Sequence, residues 1–266
     1  MNIFVTGGAG FIGSYLTTSL LESGHSVTIY DSLVNSSEHN SKKLQKLNAS
    51  FVCGDITDFN HLSNSLANFD VCIHLAAQTD VSNSIKNPQY NNLVNISGTK
   101  NMLNACVKHN VDVIAASTAA VYEDSTNILS ETSTLKPRSP YGESKFVMEQ
   151  LLCDFSKSHG INCLNLRIFN VFGQCQNISY AGVITKFLQS IKNENSVTIF
   201  GDGKATRDFV YVSDVVNSIL LAMNKVKGKQ GESYNIASGV SITINDLVEM
   251  MISISSRNNI SIKHTS

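Results

Sequence analysis

Charge is scarce in this 266-residue chain: Asp, Glu, Lys and Arg make up 15% of it, and the formal net charge is −1. No long run of either sign exists, so nothing points to a polyanion or a membrane surface as partner. No apolar stretch is long enough to span a bilayer. The six cysteines, Cys53, Cys72, Cys106, Cys153, Cys163 and Cys175, form no C-x-x-C pair and no Cys/His metal spacing. Several lie in apolar runs, where the thiol acts as a small hydrophobe. A metal is therefore not expected, and a reducing compartment is. The first strand-like run starts at the second or third residue, leaving no room for a signal peptide. These absences predict a cytoplasmic protein with no nucleic-acid or membrane partner. What is present is a hydrophobic fraction of 42%, enough for a substantial core in one large domain or a domain with a smaller lobe.

Apolar runs alternate with amphipathic segments, with no linker and no internal repeat. Strands are expected at 3–5, 27–30, 50–53, 71–75, 111–116 and 163–168. Helices are expected at 13–23, 41–46, 59–66, 90–109 and 141–159. This order predicts an α/β fold, a Rossmann-type doubly wound parallel sheet covered on both faces. After Phe169 the pattern becomes irregular: helices at 183–192, 214–224 and 244–254, and short strands near 197–200 and 209–212. Residues 1–168 are read as a dinucleotide-binding domain. Residues 169–266 are read as a smaller α/β lobe that binds substrate, partly interleaved with the first. A last strand-like run, Ile260 to Lys263, precedes an abrupt end.

The expected first strand runs straight into Thr6-Gly7-Gly8-Ala9-Gly10-Phe11-Ile12-Gly13-Ser14. Gly7, Gly10 and Gly13 are spaced G-x-x-G-x-x-G. Such glycines permit a tight strand-to-helix turn and close approach of a pyrophosphate, while the helix N-terminus favours the anion. The second strand ends in Asp31, about 20 residues on, where a carboxylate can accept both ribose hydroxyls. Neither Ser32 nor Leu33 is an arginine that could hold a 2′-phosphate, so NAD is expected over NADP.

Tyr141 and Lys145 form a Y-x-x-x-K opening a predicted helix, with Pro140 just before it. The i, i+4 spacing sets both on one face. An adjacent ammonium is expected to lower the phenol pKa towards acid/base use. The strand before this helix ends in Ser117 and Thr118, either of which can present a hydroxyl beside Tyr141. His74 is read as a satisfied, buried imidazole, and small Ala76 and Ala77 would let a ligand lie against the backbone. Arg207 follows a Gly-Asp-Gly turn and is read either as a diphosphate ligand or as half of a local ion pair with Asp208 or Asp202.

With these pieces assembled, the chain resembles the extended short-chain dehydrogenase/reductases, and within them the NAD-dependent nucleotide-sugar epimerases and dehydratases. The matching stretches are Val5 to Gly13, Gly54-Asp55-Ile56, His74 to Gln78, Asn95 to Thr99, Pro140 to Lys145, Arg167 to Gly173 and Gly201 to Val212. The resemblance implies that Asp55 and Ile56 flank adenine and that Ala76, Ala77 and Gln78 line the nicotinamide side. It assigns Phe11, Ile12, Ser32, Leu75 and Asn95 to the cofactor as well, with Lys145 on the nicotinamide ribose. Thr118, Tyr141 and Lys145 are the implied catalytic residues. Gln78, Ser117, Thr118, Asn170, Val183, Phe200 and Arg207 are the implied sugar-nucleotide residues. A homodimer is implied too, as are relatives that continue some tens of residues further, so that the second lobe is expected to be cut short.

In the sugar dehydratases of this family an Asp-Glu pair follows the strand hydroxyl, and decarboxylating relatives keep a Glu. Here Ala119 and Ala120 stand in those places and can move no proton. The resemblance therefore implies a 4-epimerase acting on a UDP-hexose such as UDP-glucose or UDP-galactose. The alternatives are a 4-epimerase of a UDP-N-acetylhexosamine or UDP-uronic acid, or a catalytically impaired NAD-binding scaffold. Glu123, in place of a usual Gly, and Gln174-Cys175-Gln176, in place of Pro-Arg-Gln, depart from the family pattern.

Overall fold

The computed structural model describes residues 1–36, 38–125, 127–176, 182–193, 196–255, 257 and 259–265. The chain opens with β1 (Asn2–Thr6), α1 (Phe11–Glu22), β2 (Ser26–Asp31), α2 (Glu38–Lys46), β3 (Ser50–Cys53) and α3 (Phe59–Ser65). It continues through β4 (Val71–His74), α4 (Val81–Lys86), α5 (Pro88–Asn92) and a π-helical turn (Leu93–Gly98) into α6 (Thr99–His109). Then come β5 (Asp112–Thr118), a 3-10 turn (Ala119–Val121), α7 (Pro140–His159), β6 (Cys163–Ile168) and β7 (Asn170–Phe172). The rest is α8 (Val183–Asn193), β8 (Ser196–Phe200), β9 (Thr206–Tyr211), α9 (Val212–Met223), β10 (Gln230–Ile236), β11 (Ser241–Thr243), α10 (Ile244–Ser255) and β12 (Ser261–Thr265).

Two units emerge, Met1–Ile168 with Ser213–Ile236 and Phe169–Val212 with Ala237–Ser266. In the first, a parallel sheet runs β3-β2-β1-β4-β5-β6-β10. Its middle strands are apolar throughout because both faces are covered: Ile3, Phe4 and Val5 are fully buried, as are Leu16 and Leu20 of α1 and Met148 and Leu152 of α7. Strand order reverses between β1 and β4. Open α/β sheets bind their ligands at the carboxyl ends of strands at such a point, because the loops there diverge and leave a crevice.

Two features differ from the sequence expectation. The helix expected over 90–109 is broken. Asn87 caps α5 with Pro88 in its first turn, and the chain then widens to π winding before α6. Gly98 in that turn lies against Ile56, where a Cβ would meet Ile56 Cδ1 at 2.6 Å. The second is β10, which adds to the β6 edge of the first sheet although β7 to β9 and α8 and α9 come between them in the chain. Its polar sequence gave no strand signal, because an edge strand needs little apolar character.

The second unit has two small sheets, β11-β9-β7 and β12 parallel to β8. Its core joins Phe187 and Ile191 of α8 to Val197 and Ile199 of β8 and Leu247 and Val248 of α10. Among the described residues no helix is long and apolar enough to cross a membrane.

Candidate active site

The glycine turn starts where β1 ends. Gly7 has φ +70°, and a Cβ there would lie 2.7 Å from Ala76 N. At Gly13 it would lie 2.3 Å from Gly7 O, so α1 can pass this close only without one. Gly10 caps α1 with no side-chain hydrogen bond, and the first turn holds no acid. The positive helix end is therefore left for an anion, with Phe11 and Ile12 in that first turn. Asp31 is 7% exposed. Its Oδ1 accepts from Leu33 N (2.9 Å) and Ser36 Oγ (2.6 Å), and its Oδ2 accepts from Ala9 N at 3.0 Å. The carboxylate is thus pinned to the glycine turn itself, and Oδ2 keeps acceptor capacity for a ribose hydroxyl. Ser32 beside it is exposed, while Ile56 is buried against Gly98. Asp55 Oδ1 accepts from both Thr57 N and Thr57 Oγ1 at 2.8 Å. A bare cradle, an uncapped helix end and a fixed carboxylate fit a dinucleotide.

Ser139 caps α7, accepting from Gly142 N at 3.1 Å, with Pro140 in the first turn. That start places Tyr141 and Lys145 one turn apart. Thr118 ends β5, and its hydroxyl accepts from Ala120 N at 3.2 Å. Burial pushes the Tyr141 phenol above its ordinary value, and a hydrogen bond with Thr118 partly opposes this. The expected lowering by the lysine is not what the structure gives. Lys145 Nζ donates to Ala116 O at 2.9 Å and meets Met148 Sδ at 3.7 Å. Burial pulls the ammonium itself down to about 8, against an upward pull from Glu149. Desolvation outweighs the Thr118 hydrogen bond at Tyr141 and the Glu149 charge at Lys145.

Ser117 belongs to a different cluster. Its Oγ donates to Glu149 Oε1, and Glu149 pairs with Arg167 at 2.7 Å where both are nearly buried. Arg167 also donates to Tyr122 Oη at 2.8 Å, and Tyr122 donates to Asn235 on β10 at 2.7 Å. The pair ties α7 to β6, and the Ser117 hydroxyl, on a residue 4% exposed, is engaged with it.

Leu75, Ala76 and Ala77 form the partly exposed exit of β4, followed by buried Gln78. The Asn95 side chain holds that exit: its Oδ1 accepts from Gln78 N at 2.8 Å, and its Nδ2 donates to Gln78 O at 2.9 Å. Nδ2 also lies 3.0 Å from Ser144 Oγ, which donates to Tyr141 O at 2.8 Å. The Gln78 amide donates to Asp80 O, leaving a buried Oε1 with no partner. Ser84, which accepts from Tyr141 N at 3.2 Å, was not foreseen from the sequence. The Asp80 N-cap before Val81 was the available signal for its helix. His74 is buried between Thr6 and Thr99, as expected.

In the second unit, Asn170, Val183 and Arg207 line one cavity of about 250 Å³, together with Phe172, Gln176 and Phe209 among others. Asn170 Nδ2 donates to Asp208 O at 2.9 Å. Arg207 makes one local bond, Nη1 to Thr206 O at 2.7 Å. Asp208 does not pair with it, because its carboxylate accepts from Ser238 N, Ser238 Oγ and Gly239 N, each at 2.8 Å. Phe200 lies outside the cavity lining and is 83% exposed.

Comparison with known proteins agrees with this geometry. The family model described as the NAD dependent epimerase/dehydratase family matches residues 3–237. A putative UDP-glucose 4-epimerase of Methanocaldococcus jannaschii is 39% identical over 256 residues, 94% of this chain and 81% of that protein. A UDP-N-acetyl-alpha-D-glucosaminuronate decarboxylase of Bacillus cytotoxicus is 35% identical over 241 residues, 88% of this chain and 74% of that protein. The crystal structure of a Thermotoga maritima UDP-glucose 4-epimerase with UDP-glucose superposes with a TM-score of 0.90 at 34% identity, covering all of this chain and 87% of that one. A dinucleotide cradle opposite a tyrosine and lysine, matched over most of its length, makes this chain a member of the NAD-dependent epimerase/dehydratase family, with NAD as its cofactor.

Proposed function

We propose that the protein inverts C4 of a UDP-hexose, interconverting UDP-glucose and UDP-galactose through a 4-keto sugar. One observation carries this reading. Thr118 and Tyr141 meet at the end of β5, and the residues that follow, Ala119 and Ala120, bring no acid to them. Ala120 O sits so near α7 that a Cβ on Gly142 would approach it to 2.5 Å. A proton donor for eliminating water or assisting decarboxylation would belong there, and a methyl group stands instead.

NAD, when bound, supplies reversible hydride acceptance at C4. Gly7, Gly10 and Gly13 would hold its pyrophosphate, Asp31 its adenosine ribose, and Ala76, Ala77 and Gln78 its nicotinamide side. Tyr141 Oη takes the proton of the C4 hydroxyl and returns it to the new alcohol, while Thr118 Oγ1 orients that hydroxyl. Burial favours the neutral phenol, which opposes proton removal from the sugar, so the phenolate needs a charge beside it. Lys145 helps hold the nicotinamide ribose and, while charged, favours the phenolate against that burial. Arg207 offers a cation to the diphosphate.

The test incubates the protein with UDP-glucose, UDP-galactose, UDP-N-acetylglucosamine and UDP-glucuronate, and resolves the products by chromatography. Interconversion of the two plain hexoses is expected. Tyr141→Phe should lower kcat by about 10²–10⁴-fold with NAD still bound. A wild-type rate in that variant, or release of CO₂ or water from a sugar, overturns the proposal.

A further inference from the structure

His74 takes no part in the mechanism above, yet a buried hydrogen-bond chain passes through it. The ring is 1% exposed, with Nδ1 2.8 Å from Thr6 Oγ1 and Nε2 3.0 Å from Thr99 Oγ1. A hydroxyl owns one proton. Thr99 donates its proton to Asn95 O at 2.7 Å. Towards the ring it can therefore only accept, and Nε2 carries the ring proton. Nδ1 is then the acceptor, supplied by Thr6. Thr6 Oγ1 itself accepts from Ala76 N at 3.3 Å. Direction is unbroken from Ala76 to Thr6, His74, Thr99 and the Asn95 carbonyl. Burial and the nearby Lys145 charge keep the ring neutral.

The two ends of this chain matter separately. Thr6 and Ala76 are the strand exits beside the glycine turn. Asn95 sits in the π turn whose side chain grips Gln78 and reaches Tyr141 through Ser144. π turns concentrate at functional sites because the widened winding re-aims side chains.

We propose that His74 is a positioning residue, held as the Nε2–H tautomer, which locks the dinucleotide floor at Thr6 and Ala76 to the Asn95 turn behind Tyr141. The two arms can be cut one at a time. Asparagine sets an amide oxygen near the Nδ1 position, so His74→Asn keeps the Thr6 arm. Glutamine sets an amide nitrogen near the Nε2 position, so His74→Gln keeps the Thr99 arm. His74→Phe removes both.

The experiment uses the full chain loaded with NAD. Ring ¹⁵N shifts, assigned by the resonances that His74→Asn removes, should show protonated Nε2 and bare Nδ1 from pH 6 to pH 8. An Nδ1–H tautomer or an imidazolium overturns the proposal, and this wild-type measurement stands even where a variant does not fold. His74→Gln should weaken NAD binding about tenfold and leave kcat near wild type at saturating NAD. His74→Asn should keep NAD affinity and lower kcat about tenfold at unchanged KM. His74→Phe should show both losses. Equal losses in all three that simply track Tm would reveal a structural role alone and overturn the proposal. Only the kcat arm rests on the proposed epimerisation; the ring and NAD arms need no sugar, so failure of one reading is distinguishable from failure of the other.

Discussion

Lys145 and Arg207 are both proposed to meet a ligand as cations, and they are held in opposite ways. Lys145, in the first unit, is 3% exposed and anchored to a strand carbonyl, with Glu149 one turn further along the same helix. Arg207, in the second unit, is exposed and, among the described residues, bonds to the carbonyl of the residue before it. The same contrast runs through both units. The Asn95 side chain is fixed by four hydrogen bonds to Gln78, Asn91 and Ser144, whereas Phe200 is 83% exposed at a strand end. A long parallel sheet with two covered faces can bury polar groups because it supplies their partners. Two small sheets around one modest core cannot. The polar groups proposed to hold the cofactor are thus preorganised, while the proposed recognition by the second unit would rest on surface charge and shape, which sequence change alters at little cost to folding.

The sharpest way to break this comparison is Arg207→Gln. A charge-assisted hydrogen bond is worth about 1.5–3 kcal/mol, so the KM for a UDP-sugar should rise roughly 10–100-fold with Tm unchanged. A lowered Tm would mean that the second unit depends on this side chain as the first depends on its own. Gly10→Ala probes the cradle. Its Cβ would meet only Gly7 O, at 3.2 Å, so the fold should survive while NAD binding weakens about tenfold, as read by calorimetric titration.

The buried ring of His74 predicts a pH effect on stability. Its pKa is held at about 3 against an ordinary 6.5. As pH falls below 6.5 the unfolded chain takes the proton first. Stability is therefore complete above that pH and declines towards pH 3 by at most about 1.4 kcal/mol per pH unit. Urea midpoints at pH 7.5 and 5.5 measure this, and His74→Asn should flatten the difference. Smallest of all, Phe200→Ala should change KM by less than about twofold. A larger change would place this exposed ring in substrate binding, as the family resemblance implied.

The glycine turn, Asp31, and the Tyr141–Lys145 spacing were legible because each is a local pattern whose chemistry depends on near neighbours in the chain. The alternation of strands and helices was legible for the same reason, since burial on both faces demands continuous apolar runs. By itself the sequence thus determined a parallel Rossmann sheet, a dinucleotide, and a tyrosine and lysine on one helix face. Only the tertiary structure decided that β10 completes the first sheet, that the helix into α6 unwinds at Asn95, and that Ser117 serves the Glu149–Arg167 pair. It also decided the sign of the Tyr141 shift, because desolvation depends on everything packed around a group and not on the residue four places away. The direction of the His74 chain is of the same kind. Four residues spread from Thr6 to Thr99 must meet before their single protons can settle which ring nitrogen is bare.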